Sequence, residues 1–170
     1  SSFRIARALL GRIEDEATGR MKLPELFVPV PDDRVAQAKA TARILGDTVF
    51  SELPFAGGTK PMAADNAARI LEKTWMPQLA VTAIAGYPLP ENGGNVLLPY
   101  STLKLSLRLP PTAKAERARL AVKRALETDP SYDAEVTFDA PRGEGGWNAP
   151  TLAPWLEQSL DRASRAAFGK

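Results

Sequence analysis

Leu103, Leu105, Leu107 and Leu109 alternate strictly with Thr102, Lys104, Ser106 and Arg108, the two-residue period of a strand with one buried and one wet face. Pro110-Pro111 stops it. A helix is predicted from Ala113 to about Thr128, capped by Thr112, with Ala118, Ala121, Val122, Ala125 and Leu126 inward and Asp129-Pro130 ending it. Tyr132 to Phe138 reads as a last strand. Upstream, Leu79, Val81, Ala83 and Ala85 alternate with Ala80, Thr82 and Ile84, which predicts a strand buried on both faces.

The N-terminal part has the other period. Phe3, Ile5, Ala6, Leu9, Leu10 and Ile13 recur at helical spacing, with Ser1 and Ser2 as N-caps and Arg4, Arg7 and Arg12 on the opposite face. Glu14, Asp15, Glu16 and Thr18-Gly19 make a polar turn, and Leu23 to Val30, interrupted by Pro24 and Pro29, reads as extended loop. A second helix is expected from Pro31 to Leu45, with Asp32 and Asp33 at its positive end and Gly46 beyond it. After a Pro- and Gly-rich stretch from Phe50 to Pro61, Asp65 opens a short helix to about Lys73. From Ala149 to Phe168 a separate helix carries Leu152, Trp155, Leu156, Leu160 and Ala163 on one stripe.

An opening helix followed by strand, strand, helix and strand predicts an α+β fold, a two-layer ferredoxin-like sandwich with helices on one face of an antiparallel sheet. Its first strand would lie just upstream of Ser1. Residues 1–13 and 77–140 would form this core, 14–76 a helical and loop insertion, and 141–170 a Gly/Pro loop and C-terminal helix.

Composition narrows the chemistry. The 170 residues include no histidine, which removes the commonest general base and metal ligand together. No cysteine is present either, so there is no disulfide framework and no thiolate zinc site, a composition that suits a reducing cytoplasm. A net charge of +2 with scattered basic residues argues against a nucleic-acid partner. The apolar stretch from Met76 to Pro90 is broken by Pro77, Gly86 and Pro88 and is too short for a membrane span.

Most local motifs have structural readings. Ser101 and Lys104 have the spacing of a serine-lysine pair, but three residues along a strand put them on opposite faces. Gly57-Gly58-Thr59-Lys60 has the composition of a phosphate loop with its Lys and Thr in the wrong order, and Gly143 to Gly146 reads as a turn. Asp32-Asp33 and Glu14 to Glu16 serve helix ends and turns. Trp147 and Trp155 could line a pocket or form core. Two residues stand apart: Asn95, after Gly93-Gly94, and Arg108, whose guanidinium fork on the polar face of the leucine strand suits a carboxylate or is simply solvated.

Several strings share one resemblance: Ser1 to Arg7, Glu14-Asp15 with Thr18-Gly19, Asn95-Val96-Leu97-Leu98-Pro99, Leu103 to Pro110, and Gly146-Trp147-Asn148-Ala149-Pro150. They resemble the lid, or dimerisation, region of the aminoacylase, carnosinase and succinyl-diaminopimelate desuccinylase family of co-catalytic zinc metallopeptidases, nearest its carnosinase-like dipeptidases. The resemblance implies a parent enzyme hydrolysing dipeptides or N-acyl amino acids, with two zinc ions in a catalytic domain absent from this chain. It implies no metal ligand and no catalytic residue here, so the chain alone would be inactive. Arg108, thirteen positions after Asn95, falls where the family clamps the substrate carboxylate. Asn95 would reach substrate across a homodimer interface, and Gly146 lies where a loop contacts substrate.

Two other readings compete. A ferredoxin-like RNA-binding module would need aromatic residues on its sheet, and the two strands Leu79 to Ala85 and Thr102 to Leu109 contain none. A free-standing oligomerisation or regulatory domain would be expected to carry its own start residue and first strand.

Overall fold

The computed structural model describes residues 1–169. The chain is α+β, with six α-helices and one two-stranded antiparallel sheet among the described residues, an arrangement compatible with a small ferredoxin-like sandwich. No helix among the described residues is long and apolar enough to cross a membrane.

Helix α1 spans Ser2–Ile13 and buries Leu9 and Ile13, so the apolar spacing read from the sequence is the face that packs. Ser1 sits at its N-cap without a side-chain cap bond. The turn that follows closes through Asp15, whose carboxylate accepts from the Thr18 amide and hydroxyl, and through Gly19 at φ +67°, where a side chain would be strained. The returning chain buries Met21 and then Leu26, on a 3-10 turn over Pro24–Leu26.

Helices α2 (Asp32–Leu45), α3 (Thr48–Ser51) and α4 (Asn66–Trp75) pack on one another. Gly46, at φ +53°, ends α2, and the Asp65 carboxylate caps α4 by accepting from the Ala68 amide. Strand β1 (Gln78–Ala85) pairs with β2 (Thr102–Arg108), Gln78 opposite Arg108 and Ala85 opposite Thr102. Helix α5 spans Ala115–Glu127 and buries Ala118, Ala121, Val122 and Leu126. Helix α6 (Pro154–Phe168) leaves Leu152, Trp155 and Leu160 of its expected stripe exposed.

The core joins Leu9, Ile13, Met21, Leu26, Ala118, Val122 and Leu126, with Leu79, Leu105, Leu107 and Leu109 against it. Arg12 ties its two helices: its guanidinium donates to the carbonyls of Ala125, Thr128 and Asp129 at the end of α5, whose last C=O groups lack helical partners.

Three expectations are corrected. Strand β1 is not buried on both faces: beyond Leu79 it is exposed, because the core lies at the Gln78 end of the hairpin. A register shift between Val81 and Ala83 leaves Thr82 unpaired, and Ile84, opposite Leu103, thereby returns to the side of Leu79 and Val81. Helix α5 is capped at Lys114 rather than Thr112, with no side-chain bond. Tyr132 to Phe138 forms no ladder. A 3-10 turn covers Ser131–Asp133, and Ala134, Val136 and Phe138 then alternate inward without a strand beside them. Leu107, Leu109, Phe138 and Ala140 line a common cavity of about 360 Å³, and the Phe138 amide donates to the Glu127 carboxylate rather than to a strand.

Candidate functional site

Arg108 is the last residue of β2 and lies on its exposed face, as the leucine alternation requires. Its cross-strand partner Gln78 shares that face, and the Gln78 Nε2 donates to the Glu72 carbonyl of α4, so this side of the sheet looks toward α4. Among the described residues the Arg108 guanidinium has neither a hydrogen bond nor an ion pair. Neighbouring arginines are engaged: Arg119 with Glu116 and the Ala140 carbonyl, Arg34 with four groups described below. A free fork at a strand end is suited to a carboxylate supplied from outside.

Gly146 reaches the same end of the sheet. A Cβ there would stand 2.7 Å from the Pro111 Cα, so only glycine permits this approach, and Pro111 is three residues beyond Arg108. Gly143 is pressed in the same way on Ala115 at the start of α5, with 2.9 Å to its Cβ. The turn read from the glycines is therefore a loop laid against β2 and α5, and Trp147 projects from it with 77% of its surface exposed.

Asn95 is elsewhere. It is exposed on the connection between β1 and β2, whose feet close at the Ala85–Thr102 end: a side chain on Gly86, at φ +89°, would run into the Tyr100 carbonyl, and the Tyr87 hydroxyl meets Ser101 Oγ at 2.5 Å. Six residues of strand separate those feet from Arg108, about 20 Å at the rise of an antiparallel strand. Gly146 thus approaches the chain three residues beyond Arg108 and lines a cavity with Leu109 and with Leu107 of the inward face of β2, while Asn95 lies on the connection that enters the strand at its other end.

The Asn95 end is also the apolar one. Val81, Ile84, Leu89, Val96, Leu97 and Tyr100 are exposed there, Leu97 to 90%, and Phe3 at the start of α1 packs edge-on against Tyr87. Exposed apolar side chains mark an interface more often than an idle surface where they join into one patch.

The other candidates resolve locally. Ser101 Oγ is engaged with Tyr87 rather than Lys104. Asp32 and Asp33 occupy the first turn of α2, where the helix dipole favours them. No group of three or more acidic side chains that could hold a metal ion converges among the described residues. The shifted carboxylates follow their hydrogen bonds: Thr18 holds Asp15 below the usual carboxylate range, Arg119 does so for Glu116, and Lys123 with the Phe138 amide for Glu127. Burial pushes Glu14 up.

Arg34 is the site residue that sequence reading missed. It donates through Nη1 to Gln37 Oε1 at 2.9 Å and through Nη2 to Asn148 Oδ1 at 3.0 Å and the Ala149 carbonyl at 2.5 Å, with the Asp33 carboxylate 3.7 Å from Nε. More than a hundred residues lie between these partners, and no periodicity or spacing announces the contact.

Comparison with known proteins gives likeness in three dimensions, with four solved chains matching, and none in sequence. No family model matches the chain, and no curated protein does. Among solved structures, human carnosine dipeptidase 1 shares the fold with a TM-score of 0.67 at 20% sequence identity. The match covers 99% of this chain and 36% of the dipeptidase, so the chain spans just over a third of that protein's length.

Proposed function

We propose that this chain is the lid and dimerisation portion of a zinc-dependent metallopeptidase that hydrolyses dipeptides or N-acyl amino acids. The observation that carries the reading is the unpaired Arg108 fork at the strand end that leads into Pro111, against which Gly146 packs, on a fold shared over 99% of the chain with part of a dipeptidase. In this reading Arg108 pairs with the substrate carboxylate, and the Gly146 loop contacts the substrate next to it. Asn95, on the connection that enters the strand at its other end, serves the site of a second copy, which an isologous pairing through the apolar Ala85–Thr102 end would bring within reach.

The metal chemistry belongs to the rest of the parent enzyme, where two zinc ions would activate water at neutral pH. This chain supplies orientation, closure and exclusion of solvent, and is inactive alone. Replacing Arg108 by alanine in the intact enzyme is expected to lower kcat/KM for a dipeptide by roughly 2 to 5 kcal/mol of transition-state binding. Unchanged kcat/KM removes Arg108 from the site. The likeness to a dipeptidase favours this reading over a free-standing oligomerisation domain.

A further inference from the structure

We propose that Arg34 is a positioning residue: from the first turn of α2 it fixes the loop carrying Gly146 and Trp147, and so couples the α2–α4 helices to the end of the sheet where Arg108 stands. The inference rests on the reading of that loop as a substrate contact.

Residues 143–150 have no helix or strand to hold them. Two contacts, Gly143 on Ala115 and Gly146 on Pro111, are steric and set how close the loop comes. They do not set its direction. Directed bonds come from Arg34, whose Nη2 donates to both Asn148 Oδ1 and the Ala149 carbonyl while Nη1 is held by Gln37. The side chain is only 18% exposed, which strengthens these charge-assisted bonds over their solvent-exposed equivalents. A guanidinium serves three acceptors in one plane, which a lysine ammonium cannot reproduce. Trp75, buried at the end of α4, and Thr74 line the same small cavity as Arg34, Pro111 and Trp147, so the helices form a wall behind the loop.

A loop that binds substrate equally in the ground and transition states affects KM more than kcat. In the intact enzyme, Arg34→Ala is therefore expected to raise KM for a dipeptide about tenfold with kcat within about twofold, and Arg34→Lys to recover part of the loss. Cleavage after Glu144 by a glutamate-specific protease, which needs the loop to detach into an extended segment, should accelerate in folded Arg34→Ala and partly slow again in Arg34→Lys. Gly146→Ala, which displaces the same loop from Pro111, should raise KM too, and the double variant should fall well short of the product of the two effects, as coupled sites do. An unchanged rate of cleavage after Glu144 in Arg34→Ala overturns the clamp, whatever the kinetics. Faster cleavage with unchanged KM, or multiplicative effects in the double variant, overturns the positioning role. Arg108→Ala tells the two failures apart: if it leaves kcat/KM intact, the functional reading falls, and the cleavage rates still decide whether Arg34 holds the loop.

Discussion

The two ends of the β1–β2 hairpin are built from similar apolar residues and differ in what covers them. At the Gln78–Arg108 end, Leu79, Leu105 and Leu107 lie against α1 and α5, and the packing continues into Ile13, Leu26 and Val122. At the Ala85–Thr102 end, Val81 and Ile84 remain on the same face but have no helix over them. The difference teaches that the buried end fixes the fold and holds the strand end that carries Arg108, while the open end leaves its apolar side chains exposed, where the proposed pairing of two copies would act.

The buried end should break first. Ile13→Ala removes a fully buried side chain and should destabilise the chain by about 2–5 kcal/mol, read as a lowered thermal or denaturant midpoint. A loss below about 1 kcal/mol would mean that this end is not the stabilising one.

The open end should respond in a different observable. Ile84, 56% exposed, can be changed to aspartate at a stability cost under about 1 kcal/mol. Sedimentation over a concentration series should show the wild-type chain self-associating and Ile84→Asp failing to. A wild-type chain that stays monomeric at every concentration would remove the interface from this end.

The smallest effect concerns the segment beside the buried end. Glu127 is held below the usual carboxylate range first by Lys123 and then by the Phe138 amide, so its contribution is present above that range and lost as pH falls through the lowered folded-state value. Wild type should therefore be slightly more stable than Glu127→Gln near neutral pH, and the two melting temperatures should converge on acidification. A difference that persists in acid would assign the effect to packing instead.

Much of the buried end was legible in the sequence. The leucine alternation gave β2 and the outward position of Arg108, and helical spacing with Asp65, Gly46 and the N-terminal apolar stripe gave α4, α2 and α1. Those signals are local, and each is enforced by burial on one face. Strand β1 misled because both of its faces are apolar, a pattern that burial on two sides and exposure at an uncovered end produce alike. Tyr132 to Phe138 misled because its alternation is real but a ladder needs a neighbour in hydrogen-bonding range. At the proposed site, Arg108 and Gly146 could be named, whereas the approach of Gly146 to Pro111 and the bonds of Arg34 to Asn148 and Ala149 could not, since both join segments remote in the chain.

Between Leu26 and Leu79, both in contact with the core, the chain makes an excursion over residues 27–78 that carries α2, α3 and α4. Closing such an excursion costs entropy that rises only with the logarithm of its length, about 0.6 kcal/mol for each doubling. The core is therefore nearly indifferent to how many residues are spent there, and α3 or the stretch between α3 and α4 could be trimmed or extended at little thermodynamic expense. The first turn of α2 has no such latitude, because Arg34 must still arrive within bonding distance of Asn148 and Ala149.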